Sequence, residues 1–226
     1  MKKILLASLF CSMGIGGFSA AFSDTFDIDK ADLTSTGRNR YFVLEPGYQL
    51  VLEGQVKGKA VVLTITVLNE TKVVDGVETR VVEERETANG QVVEVSRNYF
   101  AVSKRTGDVF YFGEDVDDYE NGKVTGHGGA WLSGVNGARF GLMMPGTPVL
   151  GARYHQEIAP KVAMDRAEIV SLTATLKTPA GKYEKCLKTE ESSALEPGKE
   201  SKLYAPDIGL ILDGKLKLTR FSSAAK

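Results

Sequence analysis

Cysteine and histidine are both rare in this sequence, with two residues of each type among 226. Cys11 lies in an apolar segment near the amino terminus, so Cys186 is the only cysteine that remains if this segment is removed. One cysteine cannot form an intramolecular disulfide, and the folded chain must therefore be stabilised by burial of apolar surface. Apolar and polar residues alternate around Cys186, which predicts a thiol buried in a β-strand.

An excess of charge of either sign is also missing. Lys and Arg number 28 and Asp and Glu number 29, so the net charge is -1. This balance provides no field that would attract nucleic acid or an anionic membrane. The chain also lacks the nucleophile-elbow, phosphate-loop and dinucleotide motifs. With 42% hydrophobic residues, we expect a globular protein that binds no nucleic acid and is not an enzyme.

The amino terminus has the charged, apolar and small-residue order of a secretory signal peptide. A pair of lysines precedes an apolar run over residues 4–15, and Ala21 and Ser23 provide small residues before a cleavage site. The run is shorter than the roughly 20 apolar residues that cross a bilayer. We therefore expect a signal peptide over residues 1–23, no transmembrane segment after its cleavage, and a periplasmic or secreted product.

The rest of the chain, residues 24–226, has the pattern of a single β domain with a core over about residues 40–220. Residues 60–68 alternate in the manner of a strand with one buried face. Residues 161–168 fit either a short helix or the lead-in to a strand. Dipeptides typical of tight hairpin turns recur at Asp75-Gly76, Asn89-Gly90 and Asn121-Gly122. This spacing predicts an all-β fold, in which an antiparallel meander forms a strongly curved sheet or half-open barrel.

A glycine-rich segment, residues 125–151, surrounds the only tryptophan, Trp131. A long segment without regular structure is uncommon inside a compact domain and often carries function. We therefore expect this segment to form a loop over one end of the sheet, either as an apolar plug or as a ligand site. The ligand-binding candidates are the large apolar side chains of the loop and its rim: Trp131, Phe140, Met143, Met144 and Tyr154.

Several short motifs follow one another in a fixed order. They are Tyr41-Phe42-Val43-Leu44-Glu45-Pro46-Gly47, Phe112-Gly113-Glu114-Asp115 with Tyr119-Glu120-Asn121-Gly122, and Trp131-x-x-Gly134-x-x-Gly137-Ala138-x-x-Gly141-x-x-Met144. This succession, over roughly residues 40–212, resembles a family of secreted bacterial proteins of unknown function. The resemblance implies an exported protein with a curved antiparallel sheet, and it brings no catalytic residues to transfer. Val43 and Lys161 depart from the family pattern, in which Pro and Gly are usual.

An acidic run over residues 114–120 is a candidate calcium site, because calcium prefers oxygen ligands. The run lacks the glycine and glutamate positions of an EF-hand loop, and the alternative interpretation is a solvated acidic turn. The candidate ligands in this run are Glu114, Asp115, Asp117 and Asp118.

Two further sets of residues could carry chemistry. His127 and His155 are candidates for copper because imidazole suits that metal, although the pair lacks a recognised ligand spacing and ordinary structural histidines are the alternative. Glu157, Asp165 and Glu168 could supply the acid and the base of a hydrolase if they meet in a cleft.

These patterns predict an exported, noncatalytic binding or structural protein of the bacterial envelope. Its concave sheet face is expected to hold a small apolar or amphipathic ligand, or to contact another envelope protein. A metal-binding envelope protein that uses calcium or copper is the first alternative. A hydrolase that uses a carboxylate pair is the second.

Overall fold

The computed structural model describes residues 21–222, and most of this range is β-structure. A short 3-10 helix, Lys30–Asp32, is the one helical element among the described residues. The strands, in chain order, are β1 Leu33–Thr34, β2 Gly37–Asn39, β3 Phe42–Leu44, β4 Gln49–Val56, β5 Lys59–Val74, β6 Val77–Ala88, β7 Gln91–Ser103, β8 Val109–Glu120, β9 Lys123–Gly126, β10 Trp131–Leu132, β11 Arg139–Met144, β12 Arg153–His155, β13 Glu157–Ile158, β14 Asp165–Thr178, β15 Gly181–Ser193, β16 Glu200–Ala205, β17 Gly209–Asp213 and β18 Leu216–Ser222.

The main sheet is antiparallel and curves into a nearly closed barrel. Two runs of consecutive neighbours, β4 to β8 and β14 to β18, make up most of the wall. These runs join where β18 pairs with β4, with Leu218 opposite Leu52. On the other side, β8 pairs with β11. The predicted all-β fold with an antiparallel meander is therefore confirmed.

The seam of the barrel lies at residues 153–158, where one bent segment belongs to both edges of the sheet. The first part of the segment, β12, pairs with β14, and the second part, β13, pairs with β11. Between these two strands, the Gln156 N–H donates to the Asp165 carbonyl at 2.8 Å. The covalent chain thus crosses the gap between the two edges.

The hairpin turns lie where the sequence predicts them. Asp75 and Gly76 have φ values of 50° and 77°, and Asn89 and Gly90 have values of 49° and 79°. Positive φ at both central residues defines the type I′ turn, which these residue types adopt at low cost. Each turn fixes the register of its hairpin, and the register decides which side chains face the barrel interior.

Strand β8 separates two apolar clusters. Val109 and Tyr111 point into the barrel interior and belong to the inner cluster. Phe110 and Phe112 point outward and belong to a smaller outer cluster, against which Phe26 of the amino-terminal segment packs. Burial on both faces explains why this part of β8 is apolar at every position.

Some local predictions hold and others change. Cys186 is fully buried in β15, as predicted. Residues 161–168 do not form a helix, because β14 already begins at Asp165. The glycine-rich segment 125–151 is more regular than predicted, since it contributes β10 and β11 to the sheet. Strand β11 is part of the barrel wall, and loops occupy only the remainder of the segment.

Most of the predicted signal peptide, residues 1–23, lies outside the described residues. The Ser23 N–H donates to the Arg153 carbonyl, and the Ser23 carbonyl accepts from the His155 N–H, both at 2.9 Å. The Phe22 ring lies 4.2 Å from the Arg153 guanidinium. Cleavage after Ser23 stays a prediction, and it would remove these contacts from the seam.

Candidate functional site

The barrel interior contains a cavity of about 70 Å³. Its wall is mainly aromatic and aliphatic, and charged side chains close one side of it. The apolar lining includes Tyr48, Leu50, Ile65, Val82, Phe100 and Tyr204, and the charged lining consists of Glu84, Lys202 and Asp213. This cavity is the candidate ligand-binding site, because apolar walls with a few convergent polar groups are typical of small-ligand sites.

Glu84 lies on the inner face of β6, opposite Ile65 of β5 and Ser96 of β7. Protein surrounds the residue, yet part of its surface stays accessible because the side chain borders the cavity. Within residues 21–222, no hydrogen bond or ion pair joins Glu84 to another side chain. Its carboxyl group therefore borders the cavity without a direct partner.

Lys202 of β16 is the cation beside this cavity. Its Nζ lies 3.2 Å from Glu191 Oε2 and 3.8 Å from Asp213 Oδ1. Burial alone would lower the pKa of Lys202, but the two carboxylates outweigh burial and hold that pKa well above its ordinary value. Lys202 is therefore an ammonium group already engaged by two carboxylates.

Glu191 of β15 connects Lys202 to hydroxyl and amide groups of the interior. Its Oε1 accepts hydrogen bonds from the Thr189 hydroxyl at 3.0 Å, the Gln156 side-chain amide at 3.2 Å and the Tyr204 hydroxyl at 3.3 Å. These donors come from the seam and from two neighbouring strands. They hold the carboxylate in one orientation toward Lys202.

Next to the cavity, the barrel widens into an open depression of about 530 Å³ at its mouth. Glu114 of β8, Glu157 of β13 and Glu191 line this mouth, and Gly129 of the glycine-rich segment forms part of it. Lys202 borders both the mouth and the apolar cavity. Lys202 is therefore a wall residue that the two spaces share.

Three carboxyl groups of the interior titrate near neutral pH. Burial raises the pKa of Glu84 to about 7, that of Glu114 to about 8 and that of Glu157 to about 7. The negative charges of Glu157 and Glu84 raise the pKa of Glu114 further, whereas Lys202 acts in the opposite direction on Glu84. The negative charge of the interior thus increases as the pH rises through neutrality.

Trp131 contacts this acidic interior through its ring nitrogen. The indole Nε1 donates to Glu157 Oε2 at 2.9 Å. The Trp131 ring also lies edge-on to Tyr111 at 5.3 Å, and Tyr111 stacks on Phe100 of the cavity wall at 4.7 Å. Because the chain has a single tryptophan, the fluorescence of Trp131 reports on both the mouth and the cavity.

The predicted ligand-binding residues do not form one surface. Met143 lines the cavity, and Trp131, Met144 and Tyr154 are buried in the inner cluster. Phe140 lies outside the barrel wall, against the outer cluster. Because β11 presents its side chains to two faces, the residues of this strand cannot all share one rim.

Tyr154 lies in the same row of side chains as Glu191. It pairs with Ala167 of β14, and Ala167 pairs with Glu191 of β15. The Tyr154 side chain is buried, and its hydroxyl has no hydrogen-bond partner within residues 21–222. Burial, together with the charge of Glu191, raises the pKa of Tyr154, so this hydroxyl is a neutral donor.

The acidic run over residues 114–120 is the end of β8 rather than a turn, so that interpretation is wrong. The register places Glu114 and Asp118 toward the interior and Asp115 and Asp117 toward the outside. No group of three or more His, Cys, Asp or Glu in the described part of the chain is arranged to hold a metal ion. The structure does not bring the predicted calcium ligands together, because a strand alternates its side chains.

The two histidines have separate environments. His127 Nδ1 lies 2.7 Å from the Val116 carbonyl oxygen and 3.0 Å from Asp117 Oδ1. The His155 ring packs edge-on against Phe22 at the seam, with 6.1 Å between ring centroids. The histidine pair suggested for copper is not assembled.

The predicted hydrolase set divides between the two faces of the sheet. Glu157 and Asp165 are neighbours, and the charge of Asp165 adds to the effect of burial in raising the pKa of Glu157. Glu168 instead forms an ion pair with Arg153, with 3.3 Å between Arg153 Nε and Glu168 Oε2. Glu157 therefore belongs with Glu114 in the barrel mouth rather than with Glu168.

The charged residues of the cavity itself, Glu84, Lys202 and Asp213, were not predicted from the sequence. A signal was present, because period-two alternation from the buried Val82 places Glu84 on the same face. A charged residue at an inward position of a barrel strand indicates function or a paired interior charge.

Comparisons with protein-family models, with curated proteins and with solved structures give no match. The resemblance to secreted bacterial proteins therefore stays a prediction. Within residues 21–222, no helix is long and apolar enough to span a membrane.

We expect the stability of the barrel to decrease as the pH rises. An unfolded chain releases the Glu157 proton near the ordinary value of 4.5, whereas the folded barrel holds it to a pKa of about 7. Between these values the folded state binds the extra proton, so stability is lost up to about pH 7 and stays low above it. One pKa unit corresponds to about 1.4 kcal/mol, so Glu157→Gln should reduce the pH-dependent loss of unfolding free energy by about 3 kcal/mol.

Denaturant titrations of both proteins between pH 5 and pH 8 measure this effect. Gln keeps an acceptor for the Trp131 indole but cannot ionise, so the substitution isolates the charge. Glu83→Gln is the control, because Glu83 lies on the outer face beside Arg97. An unchanged pH dependence in Glu157→Gln would contradict the prediction.

Proposed function

We propose that this protein is an exported, noncatalytic binding protein of the bacterial envelope that holds a small amphipathic ligand inside its barrel. The observation that carries the proposal is the apolar cavity that ends at Glu84, Lys202 and Asp213. Export is supported by the signal-like order of residues 1–23 and by the resemblance to secreted proteins.

The sizes of the two spaces favour an amphipathic ligand over a wholly apolar one. The cavity of about 70 Å³ is smaller than the cavity of about 150 Å³ that accepts benzene in an engineered protein core. Most small-ligand sites measure roughly 300–1,000 Å³, so a ligand that enters this cavity must extend into the mouth of about 530 Å³. Its inner end then contacts aromatic and aliphatic side chains, and its outer end contacts carboxylates.

Short hexyl compounds test the proposal directly. We expect hexanol or hexylamine to change the fluorescence of Trp131 in a saturable way, and calorimetry to give the same affinity. Ile65→Phe should weaken binding at least tenfold, because Ile65 lines the cavity opposite Leu50 and Glu84 and the larger ring would fill it. Native mass spectrometry of the purified protein should in addition reveal a retained natural ligand.

Val73→Phe is the matched control, because it adds the same bulk at a side chain that is 70% exposed. It should leave the affinity for the hexyl compounds unchanged. If none of these compounds binds, or if Ile65→Phe binds as well as the unchanged protein, the cavity is not the binding site.

A further inference from the structure

We propose that the polar group of the ligand is an organic cation, and that Glu84 receives it where the mouth meets the apolar cavity. This inference rests on the proposed function and names the ligand class. The expected ligand carries an ammonium group on a short apolar chain.

The distribution of charge in the interior supports a positive ligand. Lys202 is shared by Glu191 and Asp213, whereas Glu84 has no hydrogen bond or ion pair with any residue in the described range. An ionised carboxylate enclosed by protein is costly unless a charge of opposite sign accompanies it. A cation that enters past Lys202 would supply that charge at the cavity wall.

The surroundings of Glu84 suit an organic cation better than a metal ion. The carboxylates are spread over several strands, and the described residues contain no cluster with metal-binding geometry. The cavity wall that includes Glu84 instead also carries the rings of Phe100 and Tyr204. Aromatic faces attract ammonium groups, and the apolar lining accepts the attached chain.

The proposal implies that cation binding depends on pH. Several titratable groups surround Glu84 and its neighbour Glu114: Glu94 of β7, Tyr111 of β8, Glu157 of β13, Glu191 of β15, Lys202 of β16 and Asp213 of β17. Burial raises the pKa of Glu84 to about 7 and that of Glu114 to about 8, so both carry more negative charge at pH 9 than at pH 6. The affinity for an ammonium compound should therefore increase over this interval.

Hexylamine, hexanol and hexanoate test the inference, because they share one chain and differ in head-group charge. At pH 8.5, where an alkylamine is still protonated, hexylamine should bind at least tenfold more tightly than hexanol, and hexanoate should bind more weakly than both. Glu84→Gln should weaken hexylamine binding about tenfold and leave hexanol binding unchanged. Glu83→Gln, next in sequence but on the outer face, should change neither.

The outcomes separate this inference from the proposed function. Hexylamine and hexanol could bind equally well, with no increase in hexylamine affinity from pH 6 to pH 9. This result would overturn the inference that the ligand is a cation and would leave the proposed binding function intact. Absence of binding by all three compounds would overturn both. If Glu84→Gln does not fold, the pH dependence of the binding affinities of the unchanged protein is the test. Hexanol is uncharged and serves as the reference, because its affinity does not respond to the charge of the carboxyl groups.

Discussion

Replacing Lys202 with methionine is expected to lower the free energy of unfolding by about 3 kcal/mol at pH 8. Methionine keeps most of the apolar stem and removes the ammonium group, which leaves Glu191 and Asp213 without their cation. The loss belongs at the lower end of the range for broken buried pairs, because the Lys202 side chain keeps 23% exposure. For a chain of this size, the melting temperature should fall by roughly 6–12 °C.

Lys199→Met is the matched control, since Lys199 pairs with Glu190 at the surface with 61% of its side chain exposed. Exposed pairs of this kind contribute less than about 1 kcal/mol. The double variant Lys202→Met with Glu191→Gln should recover part of the loss, because it removes one of the carboxylates left without a cation. If Lys202→Met and Lys199→Met have equal effects at pH 8, Lys202 does not balance the interior charge.

The fold could be predicted from local signals. The Asp75-Gly76 and Asn89-Gly90 turns adopt the conformation that their residue types favour, and the strands between them alternate as predicted. Each turn depends on residues adjacent in sequence, so no long-range information is needed. The pairing of β18 with β4 joins the two runs of strands in the wall. It could not be predicted from local signals, because the two strands are far apart in sequence.

The position of Glu114 shows why the site was harder to predict. Strict alternation from Tyr111 would place Gly113 inside the barrel and Glu114 outside it. A bulge in the pairing of β7 with β8 shifts the register, so that Glu114 lies opposite Asn98 on the inner face. Such a bulge reverses the faces of all the residues that follow it. Sequence alone therefore does not show that Glu114 of the acidic run lines the barrel mouth.

The glycine-rich segment illustrates the opposite error. Its glycines predict a loop, yet Gly141 of this segment marks a place where another backbone approaches a strand closely. Gly113 of β8 marks a second close approach, to the start of the same segment. A Cβ atom at Gly113 would lie 2.4 Å from the Trp131 carbonyl oxygen. Glycine allows this approach because it has no side chain. From sequence alone, a glycine required by close packing cannot be distinguished from one in a loop.

The second large effect is expected at the seam, where Gly141→Ala should destabilise the barrel by about 3 kcal/mol or more. A Cβ atom at this position would lie 2.4 Å from the carbonyl carbon and oxygen of Gln156 and 2.6 Å from the His155 carbonyl oxygen. These are backbone atoms of the bent segment that joins β14 to β11, so no side-chain rotation can relieve the overlap. The segment must move away from β11.

Movement of this segment should reach the candidate site, because Glu157 and its hydrogen bond to the Trp131 indole lie next to Gln156. We therefore expect Gly141→Ala to change the Trp131 fluorescence and to accelerate amide hydrogen exchange over residues 153–158, beyond its effect on the melting temperature. Gly128→Ala is the control, because its Cβ would meet only the end of the Asp118 side chain, at 3.3 Å. Similar exchange rates at the seam in the two variants would show that the close approach at Gly141 does not hold the barrel closed.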